Sequence, residues 1–429
     1  MTDDSKTARV GMTRRGALTA AAATIAAARA AFPAGAFAAG GGPEVTGAKL
    51  GFIALTDASP LIIAKERGYF TKHGMPDVEV LKQASWAATR DNLVLGAGGG
   101  GIDGAHILTP MPYLMTAGVV TGGKPVPMNI LARLNINGQA ISVGNDLKAV
   151  KVGLNSSGAR AKFAQLKAAN NIGKVAMTFR GGTHDLWVRY WLAAGGVNPD
   201  TDVSMIVIPP PQMVANMKAG TQDAFCVGEP WNGQLVDQGV GYTACLTSEI
   251  WMNHPEKALG LRADWVARYP RAAQALTAAV MEAQMWCDNM ANRAAMCSIV
   301  SGRQYVNVPM GDILPRLLGT VNYGDGRQIK NSPHVMKFWA DNASFPYKSH
   351  DLWFLTEDVR WGVLPQATNK MGLVNQVNRS DIWRAAAKSL GVAAPASDSR
   401  GVERFFDGKV FDPANPGAYL ASQPIKKLV

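Results

Sequence analysis

The 429-residue sequence has no G-x-S-x-G, no P-loop, no H-E-x-x-H and no dinucleotide fingerprint, so the usual signatures of hydrolase, nucleotide and hydride chemistry are missing. Six histidines (His73, His106, His184, His254, His334 and His350) show no metal-ligand spacing, and no metal or other cofactor is expected. There is no run of Lys or Arg, no zinc spacing and no basic helix, which leaves nucleic acid without a footprint despite a net charge of +11. Beyond the N-terminal region no stretch approaches the roughly 18 apolar residues that cross a bilayer. Only four cysteines occur: Cys226, Cys245, Cys287 and Cys297. A disulfide between Cys287 and Cys297 is left open, and Cys226 reads as a small buried hydrophobe.

What is present begins with a leader. Arg14-Arg15 opens an alanine-rich apolar run, and Ala36-Phe37-Ala38 supplies a small-x-small cleavage site. This reads as a twin-arginine signal, with a soluble periplasmic protein released near Ala38. No cysteine stands there for a lipid. The leader holds five basic residues against two acidic ones, so its removal takes the net +11 to about +8, a balance that favours anions. The remaining length exceeds one hydrophobic core, so two domains are expected.

One short phrase occurs twice. Gly101-Ile102-Asp103-Gly104-Ala105-His106 runs on to Pro110, and Gly220-Thr221-Gln222-Asp223-Ala224-Phe225 runs on to Pro230. Each follows a helical pattern, turns at an aspartate, runs apolar for a strand's length and stops at proline. The aspartates lie 120 residues apart, which predicts two similar α/β lobes with a ligand cleft between them. Strand 49–55, helix 61–67 and strand 78–81 predict a right-handed crossover. The second lobe is expected to open with strands 140–143 and 151–154, and to carry a helix over 185–194. The chain should cross back from about 249. Trp339, Tyr347, Trp353, Phe354 and Trp361 read as an aromatic layer over the first lobe.

Several polar residues fall where loops meet such a cleft. Gln83-Ala84-Ser85-Trp86 follows the second strand, and Gln139 precedes a new one. Gly181-Gly182-Thr183-His184 offers close backbone approach, Thr183 as an N-cap, and a helix N-terminus facing an anion. Gly228-Glu229-Pro230-Trp231 ends the second repeat. Taken singly, each is packing or a turn, and Lys257 is a solvated lysine at a helix start.

Together these stretches resemble the periplasmic nitrate-binding proteins of ABC importers, within the nitrate and bicarbonate receptor group. The resemblance rests on Lys82-Gln83-Ala84-Ser85-Trp86, Gly181-Gly182-Thr183-His184-Asp185-Leu186-Trp187, Asp223 to Asn232 and His254-Pro255-Glu256-Lys257-Ala258. It extends through Met281 to Asp288 and Pro346 to Asp351, covering about 49–390 in order. It implies a two-lobed α/β periplasmic binding protein of type II topology. The expected parts are a leader over 1–38, a first lobe over 47–135, a second over 136–248, and a return to the first with a helical C-terminal part over 249–429. The implied function is a non-catalytic, monomeric receptor that binds nitrate, and nitrite too, and delivers it to an ABC permease.

The implied nitrate ligands are Trp86, Gln139, His184 and Lys257, with Gly228 and Glu229 as weaker candidates. Nitrate has three acceptor oxygens and no proton, so it calls for donors alone. Bicarbonate carries an O–H, and the resemblance implies glutamate in bicarbonate receptors where this chain has Lys257. Glu229 would be the acceptor in that alternative. An enzyme using His184 with Cys226 has no third orienting group, and a cytosolic nitrate sensor is at odds with the leader. On this reading the first repeat is architectural, and only the second leads towards Lys257.

Overall fold

The computed structural model describes residues 41–429; the expected leader and its cleavage site lie outside the described residues. Two five-stranded sheets organise the chain. The first is ordered β2-β1-β3-β10-β4, from β1 (Lys49–Phe52), β2 (Glu79–Lys82), β3 (Gly104–Leu108), β4 (Met128–Arg133) and β10 (Lys257–Arg262). The second is ordered β7-β6-β8-β5-β9, from β5 (Gln139–Gly144), β6 (Lys174–Met177), β7 (Ser204–Val207), β8 (Ala224–Gly228) and β9 (Gly241–Leu246). In each sheet the repeat strand, β3 or β8, is parallel to one neighbour and antiparallel to the other. Every residue of both repeat strands is buried, as suits central strands covered on both faces.

The repeat is the same device used twice. Asp103 N donates to Lys49 O at 2.9 Å while its carboxylate accepts Lys49 N at 2.9 Å. Asp223 N donates to Lys174 O at 2.8 Å while its carboxylate accepts Lys174 N at 2.6 Å. Each aspartate thus clamps the start of a parallel strand and satisfies backbone groups at the sheet's edge.

Two segments cross between the sheets side by side. Leu134 N bonds Lys257 O, Asn137 N bonds His254 O, and Ile136 bridges Pro255 antiparallel. Gln139 and Lys257 are therefore the first strand residues beyond the two crossings.

Three expectations need correction. Residues 151–154 form turns after a short 3-10 helix, not a strand; Lys151 takes φ +53, outside the extended region. Thr183 is not the N-cap: Gly182 holds that place, and the Thr183 hydroxyl bonds elsewhere. The aromatic layer is divided between the lobes rather than laid over the first alone. Trp353, Phe354 and Trp361, from the helix Lys348–Arg360 and its end, join the core of the second sheet, where Trp353 stacks on Trp187 at 4.9 Å. Trp339 pairs with Trp383 and Tyr347 with Phe345 instead. All four cysteines are buried free thiols, which closes the question of a Cys287–Cys297 bridge. Among the described residues no helix is long and apolar enough to cross a membrane.

Candidate functional site

The helix Thr183–Ala194 starts abruptly because Gly181 turns at φ +72, where a Cβ would meet Leu114 and Val363 at 2.9 Å. Asp185 in the first turn accepts Gly181 N at 2.8 Å and pairs with Arg189 four residues on, at 2.7 Å. The start of this helix carries His184 into the molecule, fully buried. On the other sheet, Ser85 caps the helix Trp86–Leu95 by accepting Ala88 N at 3.1 Å, which aims Trp86 inward.

Gln139 and His184 share a hydrogen bond, the Lys257 ammonium stands beside them, and Trp86 lies against the group. Gln139 Nε2 donates to Asp57 Oδ2 at 2.9 Å, which turns its Oε1 towards His184 Nε2 at 2.7 Å. His184 Nδ1 meets the Thr178 hydroxyl at 2.5 Å. Lys257 Nζ is 3.0 Å from Asp57 Oδ2, 2.7 Å from Glu256 Oε2 and 3.4 Å from His184 Nε2. The Trp86 ring lies 6.0 Å from that ammonium and 5.4 Å from the His106 ring. Its indole N–H is a buried donor with no hydrogen-bond partner among the described residues. Lys257 opens β10 rather than a helix and is fully buried, contrary to its solvated reading.

Three buried members were missed from sequence: Asp57, His106 and Glu256. Ile53 N donates to His106 Nδ1 at 3.5 Å, so His106 Nε2 carries the proton it gives to Asp57 Oδ1 at 2.6 Å. Asp57 thus accepts from His106, Gln139 and Lys257. Glu256 accepts from Thr183 at 2.9 Å, Trp187 at 2.7 Å and Lys257. The signal for His106 was present, since it interrupts an otherwise apolar strand run where the second repeat has Cys226. Its presence gives the first repeat, read as mainly architectural, a direct part in the site.

Burial pushes the Asp57 carboxyl up, but the Lys257 ammonium and His106 outweigh it and hold it below the usual range. Burial and the Lys257 charge hold His184 well below its ordinary value. Burial lowers Lys257, yet Asp57 and Glu256 more than reverse this and keep it charged. With neutral histidines, one ammonium faces two carboxylates. The site is thus not made of donors alone: its donors already have internal acceptors, except the Trp86 N–H.

Gly228 backs the cluster, and a Cβ there would sit 2.7 Å from Gln139 Oε1. Glu229 is not brought in: its carboxylate accepts Arg316 Nη1 at 2.6 Å and Gly233 N at 3.1 Å. Its carbonyl instead joins the lobes, accepting Thr56 N at 2.8 Å, while Trp231 Nε1 donates to Ala54 O at 3.0 Å. Cys226 is no nucleophile: it is fully buried, and burial raises its thiol far above the ordinary value. Among the described residues no cluster of His, Cys, Asp and Glu fits a metal.

Residues 41–301 match the model of the NMT1-like family. The chain is 60% identical over 390 residues to the nitrate/nitrite binding protein NrtA of Synechocystis sp., covering 90% of this chain and 86% of that one. It is 45% identical over 396 residues to the bicarbonate-binding protein CmpA of Synechococcus sp., covering 90% and 88%. The crystal structure of the periplasmic nitrate-binding protein NrtA from Synechocystis superposes with a TM-score of 0.88 at 60% identity, covering 90% of this chain and all of that one.

Proposed function

We propose, on the premise that this chain belongs to the NMT1-like family, that it is a periplasmic receptor that binds nitrate, and nitrite, and delivers the anion to an ABC permease. It reaches the periplasm by the twin-arginine route, is released near Ala38, and performs no chemistry on its cargo. The observation that carries the reading is the buried meeting of Trp86 Nε1, His184 Nε2, the Gln139 amide and Lys257 Nζ. These are the donor types a flat, proton-free monoanion needs, and the indole N–H has no other acceptor among the described residues.

Size sets the demand on the site. A four-atom ligand reaches about −6 kcal/mol at the ceiling of roughly −1.5 per heavy atom. Micromolar capture needs about −8 kcal/mol. The difference falls to a desolvated full charge and to lobes closing over it, which the Thr56–Glu229 and Trp231–Ala54 bonds support. An outer cleft of about 490 Å³ has Ala87 and Arg90 on the first lobe and Phe179 and Arg180 on the second, and its two guanidinium groups favour approach of an anion.

The second reading, a bicarbonate receptor, is favoured only by the two carboxylates beside Lys257. Each of them already accepts three donors, which leaves little for a bicarbonate O–H. A thermal-shift panel of nitrate, nitrite, bicarbonate, sulfate and an aliphatic sulfonate separates the two. Stabilisation by nitrate and nitrite is expected, and a shift with bicarbonate alone overturns the assignment.

A further inference from the structure

We propose, resting on the nitrate reading above, that the anion is taken up together with one proton, which is held on the imidazole of His184. The argument begins with charge. Lys257 is the one cation of the cluster, against Asp57 and Glu256, and all three are fully buried. Adding a monoanion leaves one positive charge against three negative ones in a site closed to water. An imbalance of that kind is costly unless another group changes its charge.

Geometry decides which group that is. The titratable groups facing His184 are Lys257 and Glu256 at the head of β10, Asp57 after β1, His106 on β3 and His254 on the return crossing. Asp57 accepts from His106, Gln139 and Lys257, so a proton there displaces a donor. Glu256 is engaged in the same way by Thr183, Trp187 and Lys257. His106 Nδ1 accepts the Ile53 N–H, and a second ring proton would point at that donor. His254 turns its ring to the Thr247 hydroxyl and the Pro255 carbonyl, not to the Gln139–Lys257 pair.

His184 differs because it joins a hydroxyl at Nδ1 to a second nitrogen beside Lys257, whereas the hydroxyl on Glu256 shares its oxygen with Lys257 and the one on His254 lies away from the pair. Thr178 Oγ1, at 2.5 Å, donates to Nδ1 in the neutral ring and accepts from Nδ1–H in the charged one. Both protonation states therefore keep their hydrogen bonds. Nε2 carries a proton in either state; without an anion it points at Gln139 Oε1, beside Lys257 Nζ, and a bound anion takes it over. Without an anion, burial and the neighbouring ammonium keep this imidazole neutral. An anion lodged against Lys257 and His184, which stand 3.4 Å apart without it, offsets the ammonium and reverses that preference.

The test is isothermal titration of nitrate into the purified protein near pH 7, in buffers of unlike ionisation enthalpy such as Tris and HEPES. The expected result is close to one proton taken up per nitrate, with Kd weakening about tenfold for each unit of rising pH where uptake is complete. Thr178→Val removes the acceptor for Nδ1–H while keeping the shape. It should bring proton uptake towards zero and flatten the pH slope, with a single cooperative melting transition as the folding control. Nitrate binding without proton uptake in the unaltered protein overturns the proposal and leaves the receptor reading standing. Undiminished uptake in His184→Gln likewise removes His184 as the holder. Absence of nitrate binding at every pH refutes the receptor reading itself, and the proposal with it.

Discussion

At the scale of single residues, Trp86 and Lys257 should separate binding from folding. The Trp86 N–H has no acceptor among the described residues, so losing the donor itself relieves a buried unpaired group. Trp86→Phe is expected to lower the ligand-free melting temperature only modestly, because relief of the unpaired donor offsets part of the void left by the smaller ring. Nitrate affinity should fall by about 1.5–3 kcal/mol, the worth of a hydrogen bond to a charged group, as read by titration calorimetry. An unchanged affinity would remove the indole from the site. Lys257→Glu behaves differently, because it sets a third carboxylate beside Asp57 and Glu256. It should abolish nitrate binding and also cost about 3–5 kcal/mol of stability, measured by denaturant unfolding. The sequence suggested only the first of these effects, since nothing in it placed two acidic partners on that ammonium.

At the scale of elements, the duplicated phrase was legible because it is architectural in both lobes. Apolar strands, glycine breaks and an aspartate at a fixed place leave a periodic trace, and the two aspartates do the same work on Lys49 and Lys174. Asp103→Ala and Asp223→Ala should each destabilise by about 1–2 kcal/mol by unsatisfying a strand N–H, with little change in nitrate affinity. A loss of affinity without a loss of stability in either variant would contradict that role. Asp57 and His106 left no such trace. One sits in a turn and the other inside an apolar strand, and only the juxtaposition of β1, β3, β5 and β10 makes them neighbours of Lys257. The misplaced aromatic layer has the same origin. Trp353 and Phe354 read as packing residues, but sequence does not say which lobe they pack on. Gly228 was legible as the end of the second repeat, while its contact with the Gln139 amide was not. Gly228→Ala should push that amide off His184 and weaken nitrate binding while the fold survives.

At the scale of the whole molecule, acid should loosen the ligand-free protein. Burial, the leading cause in each case, lowers His106, His184, His254, His334 and His350, and holds His254 and His350 at about 3. An unfolded histidine takes its proton near 6.5, so below that pH the unfolded chain binds protons that the folded one refuses. Their contribution is present above about 6.5 and is lost as pH falls towards 3. Burial raises Asp103, Asp223, Asp237, Glu256 and Asp358, which works in the opposite sense, while Asp57 and Glu403, where burial is outweighed by cationic partners that lower them, act with the histidines. Melting temperature without nitrate should therefore fall steadily from pH 7 to pH 5, and a flat or rising profile would contradict it. With nitrate present the decline should be blunted, because proton uptake at His184 then favours the bound state.

The central claim, that side chains from both sheets converge on one anion site beside the crossings, is tested most directly by a crystal structure of the protein grown with nitrate. The account predicts a planar anion within hydrogen-bond distance of Trp86 Nε1, His184 Nε2 and Lys257 Nζ, with the indole N–H acquiring the acceptor it lacks. Nitrate found elsewhere, with Lys257 still held between Asp57 and Glu256 and the indole still unpaired, would contradict it.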